Sequence, residues 1–189
     1  MAWLRRLFDN VLRLFGFGGG AVPREPVSVR PIAVVRNNGC EPKPDGWESV
    51  RSDLIFREEL MAALDGIETY SHVLVVFHCH QVPEEERAAL QIHPQGDERL
   101  PQQGVLATRS QRRPSALGVA VVPLVRRRRN ILRVLGLDAI DGTPVLDIKP
   151  YLPSYDSVPE ASVPDWVLQP PPEPEEDGSP DDPAPTPPS

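Results

Sequence analysis

The chain has 189 residues, room for one ordinary domain with appendages. Charged residues make up 25% and hydrophobic residues 40%, the proportions of a globular protein. Two cysteines, Cys40 and Cys79, lie outside any C-x-x-C pair, which excludes a disulfide framework, leaves open at most a single bridge, and fits a reducing, cytoplasmic setting. The formal net charge of −7 is unevenly placed: six acidic residues and no basic ones follow Pro170, which leaves 21 acidic against 20 basic elsewhere. The acidic total therefore does not argue against nucleic-acid binding, for which local basic clusters matter more.

In chain order, Trp3, Leu4, Leu7, Phe8, Val11, Leu12 and Phe15 recur at helical spacing, with Arg5, Arg6 and Arg13 off the stripe. The stretch is too short and too charged to span a bilayer. As a basic amphipathic helix, residues 1–15 can make weak contact with a membrane surface, or can dock on a partner or on the protein itself. Gly16 to Gly20 ends the helix as a hinge, so residues 1–20 form an N-terminal appendage.

Val27 to Arg36 reads as a β-branched strand and Asn37 to Gly46 as turn chemistry. Ser49 to Phe56 reads as a second strand and Arg57 to Leu64 as a short helix closed by Asp65-Gly66. Ser71 to His80 is the most apolar strand, followed by a short helix at Pro83 to Leu90. Gly104 to Thr108 reads as a strand entering an arginine-rich loop. Gly118 to Val125 and Asn130 to Leu137 form a hairpin with Arg126, Arg127, Arg128 and Arg129 at its turn, and Val145 to Ile148 is the last strand. The prolines and carboxylates of residues 156–189 read as a disordered tail, although Trp166 to Leu168 could anchor it. Short strands with turn punctuation predict a mainly β fold, a small antiparallel barrel with short peripheral helices. No G-x-G-x-x-G joins a strand to a helix, so a Rossmann-type site is not expected.

Two stretches concentrate chemistry. Ala107 to Gly118 opens a loop with three arginines, of which Arg109 and Arg113 present forks that suit carboxylate or phosphate. Gly136 to Tyr151 carries Asp138, Asp141, Asp147, Lys149 and Tyr151, with Asp147 and Lys149 on one face of a strand. Either stretch alone is also compatible with a solvated loop and an edge ion pair. Alternation puts His78 and His80 on one face and Cys79 on the other; without a third ligand at suitable spacing, no metal is expected. The arginine run has no interleaved aromatic residue for base stacking, so it reads as an RNA phosphate contact, a solvated turn, or a dock for the acidic tail.

Taken together, these stretches resemble the TrmO-like S-adenosylmethionine-dependent tRNA methyltransferases. Their pattern G-V-F-A-T-R-S-x-x-R-P-N-P-I-G is similar to Gly104-Val-Leu-Ala-Thr-Arg-Ser-Gln-Arg-Arg-Pro-Ser-Ala-Leu-Gly118. Their G-L-D-x-x-D-G-T-P-V-x-D-I-K-P-Y matches Gly136 to Tyr151 almost throughout. Gly66-Ile-Glu-Thr-Tyr-Ser-His72, Phe77, His80 and His93-Pro-Gln-Gly96 also resemble family motifs, so the resemblance covers residues 27–155 as one barrel domain. It implies a non-Rossmann β-barrel that forms homodimers, binds S-adenosylmethionine and methylates N6 of threonylcarbamoyl-adenosine in tRNA. By the resemblance Arg109, Ser110 and Arg113 position the reacting groups, and His80, Ser115, Leu137, Asp138, Asp141 and Thr143 contact the cofactor. Asp147, Lys149 and Tyr151 would brace the loop, and Arg126 to Arg129 would meet RNA. Ser115 and Ala116 replace the motif's Asn and Pro, and Ala120 replaces a later Ser. Those departures raise an alternative: a relative with altered or lost chemistry acting as a cofactor- or RNA-binding module.

Overall fold

The computed structural model describes residues 26–39, 41 and 46–168. The amphipathic stretch, Cys40 and the acidic tail lie outside the described residues. The chain divides into two compact units, residues 1–30 and 31–189. Within the first, residues 26–30 are exposed and have no regular structure.

The second unit is a closed antiparallel barrel, as the strand pattern predicts. Its strands are β1 (Ala33–Arg36), β2 (Arg51–Phe56), β3 (His72–His78), β6 (Leu117–Arg128), β7 (Ile131–Leu135) and β8 (Pro144–Pro150). Their order around the barrel is β1-β2-β7-β6-β3-β8, closing back onto β1. Closure leaves no unpaired edge. A separate two-stranded ladder joins β4 (Gln91–Ile92) to β5 (Gln103–Gly104).

Alternation fills the interior. Val35, Leu54, Val73, Val75, Leu132, Val134 and Val145 are fully buried, with Phe56, Phe77 and Val122 nearly so. Two irregularities change which residues face in. Opposite Val76 and Phe77 of β3, strand β8 pairs through Asp147 and Val145, leaving Leu146 as the extra residue. In β6 the register shifts between Leu124 and Arg126, leaving Val125 extra. A bulge of this kind reverses the parity of everything beyond it.

The β6 bulge corrects the expected hairpin tip. Leu117, Val119 and Val121 point outward before it, and Arg126 and Arg128 point outward after it. Arg127 falls on the other side, below the barrel. Its guanidinium donates to the carbonyls of Leu64 and Met61 and to the carboxylates of Asp65 and Glu68, at 2.8–3.2 Å. Only Arg129, with φ of 55°, lies beyond the strand.

Other expected elements are shorter or of another type. Of the strand expected from Val27, only Ala33 to Arg36 pairs as strand, with Ile32 just before it bonded to Val145 and Arg57, and Val27 and Val29 are exposed. The expected helix after Phe56 is a 3-10 helix at Glu58–Leu64, with no side-chain cap and Leu64 tucked into the core. The helix expected at Pro83 to Leu90 is a single turn, Glu84–Arg87. After Gly104 the chain coils into a 3-10 turn at Val105–Ala107 instead of continuing as strand; the Thr108 amide and hydroxyl both donate to the Val105 carbonyl and close it. Further on, Pro153–Asp156 forms one helical turn and Asp165–Leu168 a 3-10 turn in which Trp166 is half-buried.

Candidate functional site

At one end of the barrel, where β3 and β7 finish and β6 and β8 begin, loops enclose a cleft of about 410 Å³. Small-ligand sites usually fall within about 300–1,000 Å³. Phe77, Val82 and Ile140 give the cleft apolar surface beside Trp47, and His80, Arg109, Arg112 and Asp138 give it charge and hydrogen-bonding capacity.

Phe77 reaches the cleft because its cross-strand partner is Gly118. A Cβ at Gly118 would overlap the Phe77 ring. The glycine that ends the arginine motif is therefore required by close packing, since its φ is not positive. The turn before it has its own demand. Ala116 sits at φ 47°, donates its N–H to the Arg113 carbonyl at 2.9 Å and accepts the Cys79 N–H at 2.8 Å. Proline, the residue of the resembled motif at this position, has neither that φ nor an N–H. The departure at Ala116 thus goes with a turn that proline could not make.

A polar cluster holds the loop after β7 against the barrel end. The Asn37 amide nitrogen donates to the buried Ser52 hydroxyl at 2.9 Å and to the Ala139 carbonyl at 2.8 Å. Its oxygen accepts the Gly39 N–H. Asp141 accepts the Asn37 N–H and pairs with Arg36 at 3.1 Å, while its own N–H donates to Gly39 at 2.7 Å. This cluster fixes Asp138, Ala139 and Ile140 at the cleft.

Of the residues singled out from the sequence, the cleft brings together His80, Arg109, Asp138 and Thr143. Arg109 donates to the Val119 carbonyl at 2.7 Å, which lashes the arginine loop to β6. Ser110 braces that loop by accepting the Arg112 N–H at 3.1 Å. Arg113 is half-buried and outside the cleft lining, close enough to Cys79 to act on its titration. Ser115 is exposed and outside the lining. The Leu137 side chain is fully buried in the core, so only its backbone is left to face a ligand. Asp141 serves the loop cluster described above. Asp147 and Lys149 form a 2.6 Å pair on the outer face of β8, and Tyr151 packs edge-on against His72.

β3 ends at His78, so alternation does not extend to His80; Cys79 and His80 both line the cleft. Burial, then Arg87 and His80, holds the His78 pKa below its usual value. Burial, reinforced by Asp138, raises that of Cys79. Cys79 is therefore a neutral thiol and a poor nucleophile at pH 7. Trp47, Gln81, Val82 and the Arg112–Glu86 ion pair (2.8 Å) were not read from the sequence as site residues. An aromatic residue after a Pro/Gly-rich turn was a signal for Trp47; nothing local marked a pair 26 positions apart.

A closed barrel whose end loops form a mixed apolar and charged cleft defines a small-ligand-binding β-barrel domain without a Rossmann sheet. Residues 34–157 match the tRNA-methyltransferase O N-terminal domain family, and the chain belongs to it. A Methanothermobacter thermautotrophicus protein named as a probable S-adenosyl-L-methionine-binding protein is 37% identical, over 70% of this chain and 95% of that one. The Escherichia coli protein named tRNA (adenine(37)-N6)-methyltransferase is 42% identical over 53% of this chain and 44% of its own. The crystal structure of TrmO from Pseudomonas aeruginosa superposes with a TM-score of 0.58 at 34% identity, covering 73% of this chain and 62% of that one. The chain thus spans less than two thirds of that solved relative and under half of the Escherichia coli protein.

Proposed function

We propose that this chain is an S-adenosylmethionine-dependent methyltransferase of tRNA. Its target is N6 of the adenosine beside the anticodon, in its threonylcarbamoyl form. Family membership supports the reaction class. The observation that carries the reading is the convergence of Arg109, Asp138, His80 and Thr143 on one cleft floored by Phe77 and Ile140.

The residues present fit the cofactor. Phe77, Val82 and Ile140 offer apolar surface to a nucleoside ring. Asp138 is exposed and makes no hydrogen bond or ion pair among the described residues, which leaves both oxygens for sugar hydroxyls or an ammonium. Arg109 keeps donors beyond its bond to Val119, suited to a carboxylate. When bound, the sulfonium supplies an activated methyl group. The chain's own task is to align the acceptor nitrogen and exclude water, work done by position more than by proton transfer. Arg113, half-buried and outside the cleft lining, would have to swing inward to offer its fork to the carboxylate of the modified base. Arg126, Arg128 and Arg129 face outward for RNA, while Arg127 is committed to the segment below the barrel.

A homodimer forms through the outer face of β3 and β6, and the setting is cytoplasmic, where tRNA is found. No helix among the described residues is long and apolar enough to cross a membrane.

The turn at Ala116 favours a second reading, a relative that binds cofactor but has altered or lost the transfer. Titration calorimetry with S-adenosylmethionine, followed by mass spectrometry of tRNA nucleosides from cells with and without the protein, separates the two. Heat together with loss of a methylated adenosine is the expected result. Heat with unchanged nucleosides selects the second reading, and no heat at millimolar cofactor overturns both.

A further inference from the structure

The outer wall formed by β1, β2, β7 and the second half of β6 carries arginines that the sequence did not group. Cross-strand pairing places Arg126 beside Arg133, Arg133 beside Asp53, and Asp53 beside Arg36. With strands about 4.8 Å apart, this row crosses roughly 14 Å of wall. Arg51 lies two residues before Asp53, towards the cleft end, and Arg128 two residues after Arg126, towards the far end. The six side chains share the outward face, since Val35, Ser52, Leu54, Leu132 and Val134 alternate with them and are buried.

Five arginines thus face two carboxylates, Asp53 and Asp141. Arg133 holds Asp53 through two bonds, at 2.7 and 2.6 Å, and Arg36 pairs with Asp141 at 3.1 Å. The Arg133 hydrogen bonds, with further attraction from Arg126, keep Asp53 below the usual carboxylate pKa. Arg51, Arg126 and Arg128 are exposed and make no salt bridge among the described residues, Arg126 acting on Asp53 only at longer range. Glu48 is exposed in the turn before β2, and Asp65 and Glu68 are held by Arg127. Between Asp53, Arg126, Arg128, Ile131 and Arg133 the wall is concave, with a hollow of about 170 Å³.

We infer that this wall carries the sugar-phosphate backbone of the tRNA, leading it from the far end of the barrel towards the cleft. The inference rests on the tRNA reading and adds to it the path of the RNA, with Arg36, Arg51 and Arg133 joining Arg126 and Arg128. Three observations support an RNA backbone. Guanidinium forks suit phosphate oxygens. The unpaired arginines span the wall instead of gathering at one tip. Arg36 and Asp141 belong to the cluster that holds the cleft-lining loop, so the wall runs continuously into the site.

The test is binding of unfractionated tRNA to the full chain over a salt series, for wild type, Arg126→Ala/Arg128→Ala and Arg51→Ala. Calorimetry with S-adenosylmethionine on each variant serves as the check that the barrel is folded. Each phosphate contact contributes about 0.7–0.9 to the slope of log affinity against log salt, so the double variant should lose roughly 1.4–1.8 and Arg51→Ala about half of that. Lysine at 126 and 128 should restore the slope. If the wild type binds tRNA and the variants keep its slope, the wall is not the path and the inference fails while the function stands. If the wild type binds no tRNA, the functional reading fails first and the inference with it. If replacing the six carboxylates after Pro170 by amides strengthens tRNA binding equally in wild type and variants, and the slopes coincide, the wall is occupied by something else and the inference is overturned.

Discussion

Gly118 shows how one position can carry a motif for a reason that only packing reveals. Its neighbour across the ladder is Phe77, whose ring occupies the space a Cβ would need and then continues into the cleft. Gly118→Ala must therefore shift a nearly buried aromatic ring, and overpacking of this kind costs about 1–3 kcal/mol. The expected outcome is a lower urea midpoint together with weaker S-adenosylmethionine heat, because the ring displaced is the floor of the site. Phe77→Leu in the Gly118→Ala background should recover most of the stability. If Gly118→Ala leaves both midpoint and heat unchanged, the close approach does not exist in solution. Asn37 makes the complementary point. It reads as turn chemistry, yet its side chain satisfies buried Ser52 and holds Ala139 at the cleft. That role depends on partners 15 and 102 positions away and leaves no local mark.

At the scale of elements, the apolar strands were legible because a half-buried strand alternates with period two, and β3 runs within two residues of the stretch read for it. The strand expected from Val27 was too long because β-branched residues alone do not make a ladder; only four of those positions pair as strand. The arginine run was misplaced for a different reason. Four like residues carry no parity signal, so nothing in the run discloses the bulge at Val125 that turns Arg127 away from its neighbours. Arg127→Ala removes all four guanidinium bonds to the segment from Met61 to Glu68 without altering register. Hydrogen exchange at Glu58 to Thr69 is expected to rise sharply, with a melting midpoint several degrees lower. Deleting Val125 removes only the extra residue and leaves Arg127 opposite Leu132, facing the same way, so protection of the segment should persist in that variant. Unchanged protection in Arg127→Ala would mean the segment is held by Leu64 packing alone.

Across the whole molecule the two sides of the barrel differ in character, and β6 belongs to both. Its second half contributes arginines to one wall, while its first half presents Leu117, Val119 and Val121, each 39–46% exposed, to the other. Their cross-strand neighbours His78, Val76 and Leu74 on β3 continue that surface, and Lys149 and Asp147 border it on β8. A contiguous apolar patch with a charged rim is the usual form of a self-association surface. A second copy seated there would leave the arginine wall free, so dimerisation through this face would not compete with RNA for area. The Arg109 guanidinium rests on the Val119 carbonyl, which brings the same surface to the edge of the cleft. Val121→Asp is the discriminating change, because Val121 lies centrally opposite Leu74 and its carbonyl does not anchor Arg109. An unpaired carboxylate buried at such an interface costs several kcal/mol, about enough to weaken association by two or more orders of magnitude. Sedimentation should show a dimer for the wild type and a monomer for Val121→Asp at micromolar concentration, with S-adenosylmethionine heat retained as evidence of an intact barrel. A monomeric wild type would leave the apolar face without a second copy to cover it, and a dimeric Val121→Asp would move the interface to another face.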